Sequence, residues 1–177
     1  MLKSLAWKRN VLWVLWVLHM GLVHAGLVHA GPVEVGQILP DAAMAGLNGP
    51  DKRLSAYRGR PLIINVWASW CGPCRAEAVS LERLAWSPAG KGYTVVGIST
   101  DDDRAAALRW LKQSNATLSH FIDAGLALEN LLGANTIPLT VLVDAQGRVV
   151  AKVRGAREWD SAESVKLLEE AMRRAKR

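Results

Sequence analysis

Two cysteines separated by two residues are the side chains with the clearest chemical potential in this sequence. They lie in the segment Trp70-Cys71-Gly72-Pro73-Cys74 and are the only cysteines in the chain of 177 residues. A single pair excludes both a framework of several disulfides and an all-cysteine metal site. The pair can instead cycle between dithiol and disulfide and so exchange electrons with a partner disulfide.

The position of the pair favours that redox chemistry. Residues 62–67 are an apolar, β-branched run that predicts a strand buried on both faces, and apolar residues at helical spacing follow from 75 to 84. Cys71 is therefore expected at a helix N-terminus, where unpaired backbone N–H groups and the helix dipole stabilise a thiolate. We expect Cys71 to ionise more readily than a free thiol, whose pKa is about 8.5.

The residues around Cys71 suit a two-step exchange. The Cys71 thiolate attacks a partner disulfide, and Cys74, one helical turn on, then attacks Cys71 and releases the reduced partner. Pro73 has a φ preset for the first helical turn, and Gly72 leaves the approach to Cys71 open. Trp70 either forms a wall beside the nucleophile or belongs to the contact surface for a partner.

Two other interpretations of the cysteine pair have less support. A structural disulfide across so short a loop removes little entropy from the unfolded chain. Half of a zinc site needs two further ligands. Beyond the first thirty residues the chain offers only His120 and carboxylates for that purpose.

Composition indicates a packed domain that follows a basic leader. Hydrophobic residues make up 50% of the chain and charged residues 21%, a balance that excludes a disordered chain. The formal net charge is +6, and it falls to +3 without residues 1–30, which hold three basic and no acidic residues. A charge of that size argues little for nucleic acid, and no such partner is expected.

Residues 1–30 have the order of a secretory signal peptide. A basic start is followed by an apolar block at 11–18 and by a tandem Gly-Leu-Val-His-Ala repeat that ends at residue 30. The alternative is an uncleaved membrane anchor, because residues 11–30 are about long enough to span a bilayer. Both interpretations place the remaining chain, predicted as one domain over 33–177, outside the cytoplasm.

Strands alternate with helices along that domain. Besides the strand at 62–67, the pattern predicts strands at 94–99 and 120–122, helices at 104–113 and 125–132, and a hairpin of 139–143 with 148–153. A last helix follows, capped by Asp160 or Ser161. This order predicts an α/β fold with one mixed sheet flanked by helices.

Two further groups of side chains are predicted to have structural rather than chemical roles. Asp101, Asp102 and Asp103 are expected to supply the cap of the helix at 104–113. The tryptophans at positions 86, 110 and 159 are interpreted as packing residues rather than binding residues.

Residues 65–77, which read Asn-Val-Trp-Ala-Ser-Trp-Cys-Gly-Pro-Cys-Arg-Ala-Glu, resemble the active-site stretch of thioredoxin-like proteins. More narrowly, they resemble exported TlpA/ResA-type thiol–disulfide oxidoreductases. The resemblance implies a thioredoxin fold with a helix and strand inserted before the Thr-Ile-Pro loop at 136–138. It also implies that Cys71 is the nucleophile and Cys74 its buried resolving partner.

The same resemblance implies a substrate-binding role for Ile137 and Pro138. In this family the proline of the loop is cis, and the backbone of the preceding residue pairs with an extended substrate strand. That pairing would be a form of β-strand addition.

Glu77 is assigned by the resemblance to proton handling, since the family has an acid near the cysteine pair. A partly desolvated carboxyl there would titrate high and relay a proton to or from Cys74. The alternative is a solvated glutamate that only stabilises the helix dipole. Cytoplasmic thioredoxins carry a buried acid where this chain has Asn65, so that general base is absent here.

The direction of electron flow is predicted from the residues next to the cysteines. Gly72-Pro73 and the isoleucine before Pro138 are the choices of thioredoxin, which is a reductant. We therefore expect a periplasmic reductase of disulfides in exported proteins, as in cytochrome c maturation, that is soluble after signal cleavage or tethered to the inner membrane. The resemblance also implies a membrane electron-donor protein.

Two alternative functions stay open at this point. One is a disulfide oxidase or isomerase on the same fold. The other is a copper metallochaperone for oxidase assembly, a class that usually needs a histidine or methionine ligand near the cysteines; His120 is the only histidine after residue 30. The sequence contains no glycine-rich nucleotide motif and no metal cluster, so no cofactor is expected.

Overall fold

The computed structural model describes residues 31–174. The signal peptide or anchor predicted at 1–30 and the last three residues of the chain lie outside the described residues. Within residues 31–174, none of the helices combines the length and the apolar character needed to cross a bilayer.

The described chain contains seven strands, four α-helices and two short 3-10 helices. The strands are β1 (Ala43–Gly46), β2 (Lys52–Arg53), β3 (Leu62–Trp67), β4 (Thr94–Ser99), β5 (Ser119–Ile122), β6 (Leu139–Val143) and β7 (Val149–Arg154). The helices are α1 (Gly72–Trp86), α2 (Arg104–Gln113), α3 (Ala127–Leu132) and α4 (Ala162–Arg174), and the 3-10 helices are Leu54–Tyr57 and Ala89–Gly92.

The strands form one mixed sheet in the order β2-β1-β5-β4-β3-β6-β7. Strands β3, β4 and β5 are parallel, whereas β6 runs antiparallel to β3. Val66 near the end of β3 pairs with Leu139 at the start of β6. The loops that follow β3, β4 and β5 and the loop that precedes β6 therefore meet at the same edge of the sheet. We call this the carboxyl edge.

The predicted α/β class and mixed sheet are confirmed, and several element bounds match the sequence pattern. The strands at 62–67 and 94–99 and the helix at 104–113 lie where they were predicted, and the inserted helix and strand are α2 and β5. Helix α3 begins later than predicted because Leu126 adopts a left-handed backbone, with φ of 56°, which a right-handed helix does not include.

Successive side chains of a strand point to opposite faces of the sheet, so the core has two sides. Ile64 and Val66 lie in a cluster with Leu128 and Leu132 of α3, and we call this side the apolar face. Ile63 packs with residues of α1 and α4, and Trp67 packs with residues of α2 and with the two cysteines. We call this opposite side the helix face.

The prediction that all three downstream tryptophans pack inside the domain is partly wrong. Trp110 and Trp159 are buried, but Trp86 is 73% exposed and its indole N–H donates to Thr117 Oγ1 at 2.9 Å. Trp86 is seven residues after Val79, which is also exposed, so both lie on the stripe of α1 that is turned away from the sheet.

Candidate active site

Cys71 is the N-cap residue of α1. Its backbone is extended, with φ of −82° and ψ of 101°, and its Sγ accepts a hydrogen bond from the backbone N–H of Cys74 at 3.2 Å. Gly72 and Pro73 are the first two residues of the helix, where proline loses no backbone hydrogen bond. The helix N-terminus thus directs at least one backbone N–H at the sulfur, as the position of the pair in the sequence predicts.

The two cysteines differ in their access to solvent. They are joined by a disulfide in this structure, which is the oxidised form of the pair. Cys71 is 6% exposed, and Cys74 has no exposed surface. This difference agrees with the predicted order of attack, in which the outer sulfur meets the partner first.

Three residues beside Cys71 face solvent. Trp70 is 70% exposed, which favours its interpretation as contact surface for a partner over that as a wall. Gly72 and Pro73 are also exposed, and a Cβ at Gly72 would meet no atom within 4 Å. No neighbour in the described chain requires glycine at this position, so its role in keeping Cys71 approachable stays a prediction.

The Thr-Ile-Pro loop lies at the same edge as the cysteines. The Ile137–Pro138 peptide bond is cis, and Pro138 is buried immediately before β6. Ile137 is half-buried and packs against the cluster that contains Cys71 and Cys74. The fold therefore brings together residues that are more than sixty positions apart in the sequence.

Glu77 is buried one helical turn after Cys74, with 2% of its surface exposed. Its Oε2 accepts a hydrogen bond from Asn65 Nδ2 at 3.0 Å, and its Oε1 accepts one from the indole N–H of Trp159. Burial raises the pKa of the Glu77 carboxyl, and the N–H donors of Trp159 and Asn65 oppose that rise without cancelling it. The alternative of a solvated glutamate is therefore wrong.

Sequence reasoning missed the residues that hold Glu77. Trp159 comes from the loop before α4 and was assigned to packing alone, and no local pattern connects it to a side chain 82 positions earlier. Asn65 donates both to Glu77 and to Thr140 Oγ1, the latter at 3.1 Å. It is therefore part of the site although it cannot act as a general base.

A second missed contact lies at the carboxyl edge. Asp101 does not cap α2, since Asp103 does so by accepting the backbone N–H of Ala105 at 2.8 Å. Asp101 is buried and accepts hydrogen bonds from Ser69 and Ser99 instead. Ser69 is two residues before Cys71, so this carboxylate belongs to the surroundings of the cysteine pair.

His120 lies behind Trp67 rather than beside the cysteines. Its ring meets the Trp67 indole edge-on at a centroid distance of 5.4 Å, and both line a small cavity between α1, α2 and β4 that neither cysteine lines. Burial lowers the pKa of His120 to about 4. Among residues 31–174, no group of three or more histidine, cysteine or acidic side chains is arranged to hold a metal ion.

Comparison with known proteins gives a consistent set of relatives. The Redoxin family model matches residues 34–168. The thiol:disulfide interchange protein DsbE of Pseudomonas aeruginosa is 36% identical over 123 residues, which cover 68% of this chain and 66% of the relative. The thiol–disulfide oxidoreductase ResA of Bacillus thuringiensis is 24% identical over 128 residues, or 72% of this chain and 74% of the relative.

Solved structures agree with these matches. The crystal structure of a putative thiol:disulfide interchange protein DsbE from Chlorobium tepidum superposes with a TM-score of 0.70 at 27% identity. The matched region covers 81% of this chain and 98% of the Chlorobium chain. The present chain spans slightly less than two thirds of the length of the Pseudomonas relative.

Proposed function

Because the chain belongs to the Redoxin family of thioredoxin-like proteins, we propose that it is a thiol–disulfide oxidoreductase that reduces disulfides in exported proteins. The observation that carries the proposal is the position of Cys71 and Cys74. The outer cysteine caps α1 and accepts a backbone N–H, and the inner one is fully buried beside it. The names of the DsbE and ResA relatives support the same class of activity.

The reaction begins with the reduced dithiol. The Cys71 thiolate attacks one sulfur of the substrate disulfide, the substrate S–S bond breaks, and a mixed disulfide forms between Cys71 and the substrate. The other substrate sulfur leaves as a thiolate and takes a proton from water. The N-terminal N–H groups and dipole of α1 stabilise the attacking anion without any cofactor.

The second step resolves the mixed disulfide. Cys74 loses its proton and attacks Cys71 Sγ, the Cys71–Cys74 disulfide forms, and the second substrate sulfur leaves as a thiolate. Two electrons have then passed from the dithiol to the substrate. The oxidised pair is the form that the structure contains.

We assign the proton of Cys74 to Glu77 in this second step. Glu77 lies one turn further along α1, and burial raises the pKa of its carboxyl, which makes the carboxylate a stronger base for the Cys74 proton. Asn65 and Trp159 fix both carboxylate oxygens. A general base held in this way needs little rearrangement when Cys74 ionises.

Substrate binding is assigned to the exposed surface next to Cys71. Trp70 offers a large apolar contact, Gly72 and Pro73 leave space above the helix N-terminus, and Ile137 and Pro138 form the facing loop. In the proposal an extended substrate segment pairs with the Ile137 backbone, as a strand added at a sheet edge does. The substrate cysteine is then presented to Cys71.

The direction and setting of the reaction complete the proposal. Electrons flow from a membrane electron-donor protein to the Cys71–Cys74 disulfide and then to exported protein disulfides, including those of cytochrome c maturation. The protein acts in the periplasm, either free after cleavage of residues 1–30 or tethered by residues 11–30. The oxidising periplasm requires such a donor, because it lacks a reducing buffer.

Trapping and potentiometry test this proposal. Cys74→Ser should accumulate a mixed disulfide between Cys71 and the physiological substrate, whereas Cys71→Ser should accumulate none. The reduction potential of the wild-type pair should lie closer to about −270 mV than to about −120 mV. A potential near the second value would reject the reductase direction, and equal trapping by both variants would reject Cys71 as the nucleophile.

A further inference from the structure

Asp101 is a buried carboxylate to which the proposed reaction gives no role. It follows β4 at the carboxyl edge and is 3% exposed. Its Oδ2 accepts hydrogen bonds from the Ser69 backbone N–H at 2.8 Å and from Ser99 Oγ at 2.6 Å, and its Oδ1 accepts one from Ser69 Oγ at 2.7 Å. Hydrogen bonds to a charged acceptor are about twice as strong as those between neutral groups.

These bonds hold the turn from which the cysteine pair is presented. The turn runs from Ala68 to Cys71 and is closed by the Cys71 backbone N–H, which donates to Ala68 O at 3.1 Å. Ser69 is the second residue of this turn, and the exposed Trp70 is the third. A carboxylate that binds both the N–H and the hydroxyl of Ser69 therefore fixes the residue immediately before Trp70.

The loop of Asp101 is itself anchored. The Thr100 backbone N–H donates to Trp67 O at 2.9 Å, which continues the pairing of β3 with β4 past their ends. Arg104 Nη2 donates to Gly46 O at 2.6 Å and so joins the start of α2 to β1. Asp101 thus connects the turn before Cys71 to a segment that is fixed to strands on both sides.

A purely structural explanation accounts poorly for a charged group here. The cap of α2 is supplied by Asp103, so α2 does not need Asp101. A buried charge is costly unless it is well paired, and neutral groups of similar shape often serve stability as well. Ser69, which supplies two of the three hydrogen bonds, lies in the turn that displays Trp70 and Cys71.

We propose that Asp101 is a positioning residue that holds Trp70 and the Cys71 turn in the orientation that a protein substrate meets. This inference rests on the proposed oxidoreductase function. A small disulfide needs only the Cys71 thiolate, whereas a protein disulfide is recognised through simultaneous contacts with Trp70 and the facing loop. Loosening the turn therefore slows reaction with proteins and leaves reaction with small disulfides nearly unchanged.

The test compares Asp101→Asn with Asp102→Asn in the full chain. Asp102 is the exposed neighbour, so the two variants have the same change of charge and composition. The reduced proteins are mixed with oxidised insulin or with glutathione disulfide, and the rate constant of a single turnover is measured. We expect Asp101→Asn to react about tenfold more slowly with insulin and within twofold of wild type with glutathione disulfide. Asp102→Asn should match wild type with both.

Amide hydrogen exchange gives a readout that does not depend on catalysis. The Ser69 N–H donates directly to Asp101, so Asp101→Asn should speed exchange at Ser69 and at Cys71 while the core strands β3 and β4 keep their protection. If Asp101→Asn does not fold, Ser69→Ala removes only the hydroxyl donor and should slow the insulin reaction about threefold.

Each other outcome has a definite meaning. Equal slowing with insulin and glutathione disulfide would overturn the inference, because Asp101 would then act on the thiol or on the whole fold. An unchanged insulin rate, or unchanged exchange at Ser69 and Cys71, would overturn it as well. A wild-type protein that reduces neither substrate would instead refute the proposed function, while hydrogen exchange would still report on the turn.

Discussion

The two faces of the sheet differ in the kind of residue that they bury. On the apolar face, the buried positions of the four central strands are all hydrophobic: Leu62, Ile64, Val66, Val96, Ile98, Phe121, Leu139, Val141 and Val143. On the helix face, the alternate positions of the same strands include Asn65, Gly97, Ser99, His120 and Thr140. One strand therefore supplies apolar packing on one side and polar groups on the other.

Most polar side chains of the helix face form hydrogen bonds with other polar groups of the site, which offsets the free-energy cost of burying them. Asn65 bridges Glu77 and Thr140, and Ser99 donates to Asp101. Gly97, which pairs with Asn65, has no room for a side chain, since a Cβ there would lie 2.2 Å from His120 Nδ1. The apolar face therefore supplies stability, whereas the helix face gives up some packing to hold the polar groups around Glu77 and Asp101.

The largest effect is expected from a truncation on the apolar face. Ile64 is fully buried, so Ile64→Ala should lower the free energy of unfolding by about 2–5 kcal/mol through lost burial and a cavity. The insulin reduction rate of the remaining folded protein should stay within twofold of wild type, because no group near the cysteines changes. Urea unfolding and activity at a temperature where both proteins are folded measure the two quantities. A tenfold loss of rate in folded protein would contradict the division between the faces.

The apolar face is also the part that the sequence predicts best. The central strands β3 and β4 are near-continuous apolar runs rich in β-branched residues, a pattern that is typical of strands buried on both faces. Helix α2 was predicted at its observed bounds because an acidic cap precedes a clear helical pattern. The cysteine pair was found for the same reason, since its chemistry depends on neighbours within four residues.

The side chains that bind Glu77 and the turn before Cys71 could not be predicted from the sequence, because their roles depend on tertiary contacts. Nothing near Trp159 in the sequence indicates that its indole donates to Glu77. Asp101 has the same residue type as the true cap, Asp103, and only the fold separates their roles. The exposure of Trp86 follows from the rotation of α1 against the sheet, which hydrophobicity alone does not determine.

His120, a buried polar residue of the helix face, is expected to make the stability of the folded protein depend on pH. Its pKa in the folded protein is about 4, below the ordinary value of 6.5, so the folded state resists protonation of the ring. The stability associated with the neutral ring is complete above pH 6.5 and is lost as the pH falls toward 4. At pH 4.5 this loss should amount to about 2–3 kcal/mol.

His120→Phe removes that titration and keeps an aromatic ring against Trp67. Urea unfolding of both proteins at pH 7.5 and pH 4.5 measures the difference, and wild type should lose about 2–3 kcal/mol more than the variant on acidification. If both proteins lost the same unfolding free energy on acidification, the helix face would accommodate the charged His120 ring. The proposed free-energy cost of burying that ring would then be wrong.

Glu77 is the helix-face group expected to affect the rate directly. Only the carboxylate accepts the Cys74 proton, so the wild-type rate of resolving the mixed disulfide should rise with pH through the raised pKa of Glu77. Glu77→Gln should slow that step by about tenfold, or ~1.4 kcal/mol in the barrier, and remove the rise. Glu82→Gln is the control, because Glu82 lies on the same helix but accepts its hydrogen bonds from Thr117 and Leu118. A pH profile unchanged by Glu77→Gln would reject the proton-relay assignment.

The smallest effect is expected from Trp159→Phe, which keeps a buried ring and removes one N–H donor. The Glu77 carboxylate then loses one of its two side-chain donors and keeps Asn65, so the pKa of Glu77 should rise further and the pH profile should move to higher pH. The lost hydrogen bond should cost about 1 kcal/mol of unfolding free energy. Trp110→Phe is the matched control, because Trp110 is buried on α2 against Trp67 and makes no hydrogen bond to Glu77. If Trp159→Phe lowers stability but leaves the pH profile in place, Trp159 serves only for packing. If the profile moves in Trp159→Phe and not in Trp110→Phe, the hydrogen bonds of the helix face set the proton affinity of the Glu77 carboxylate.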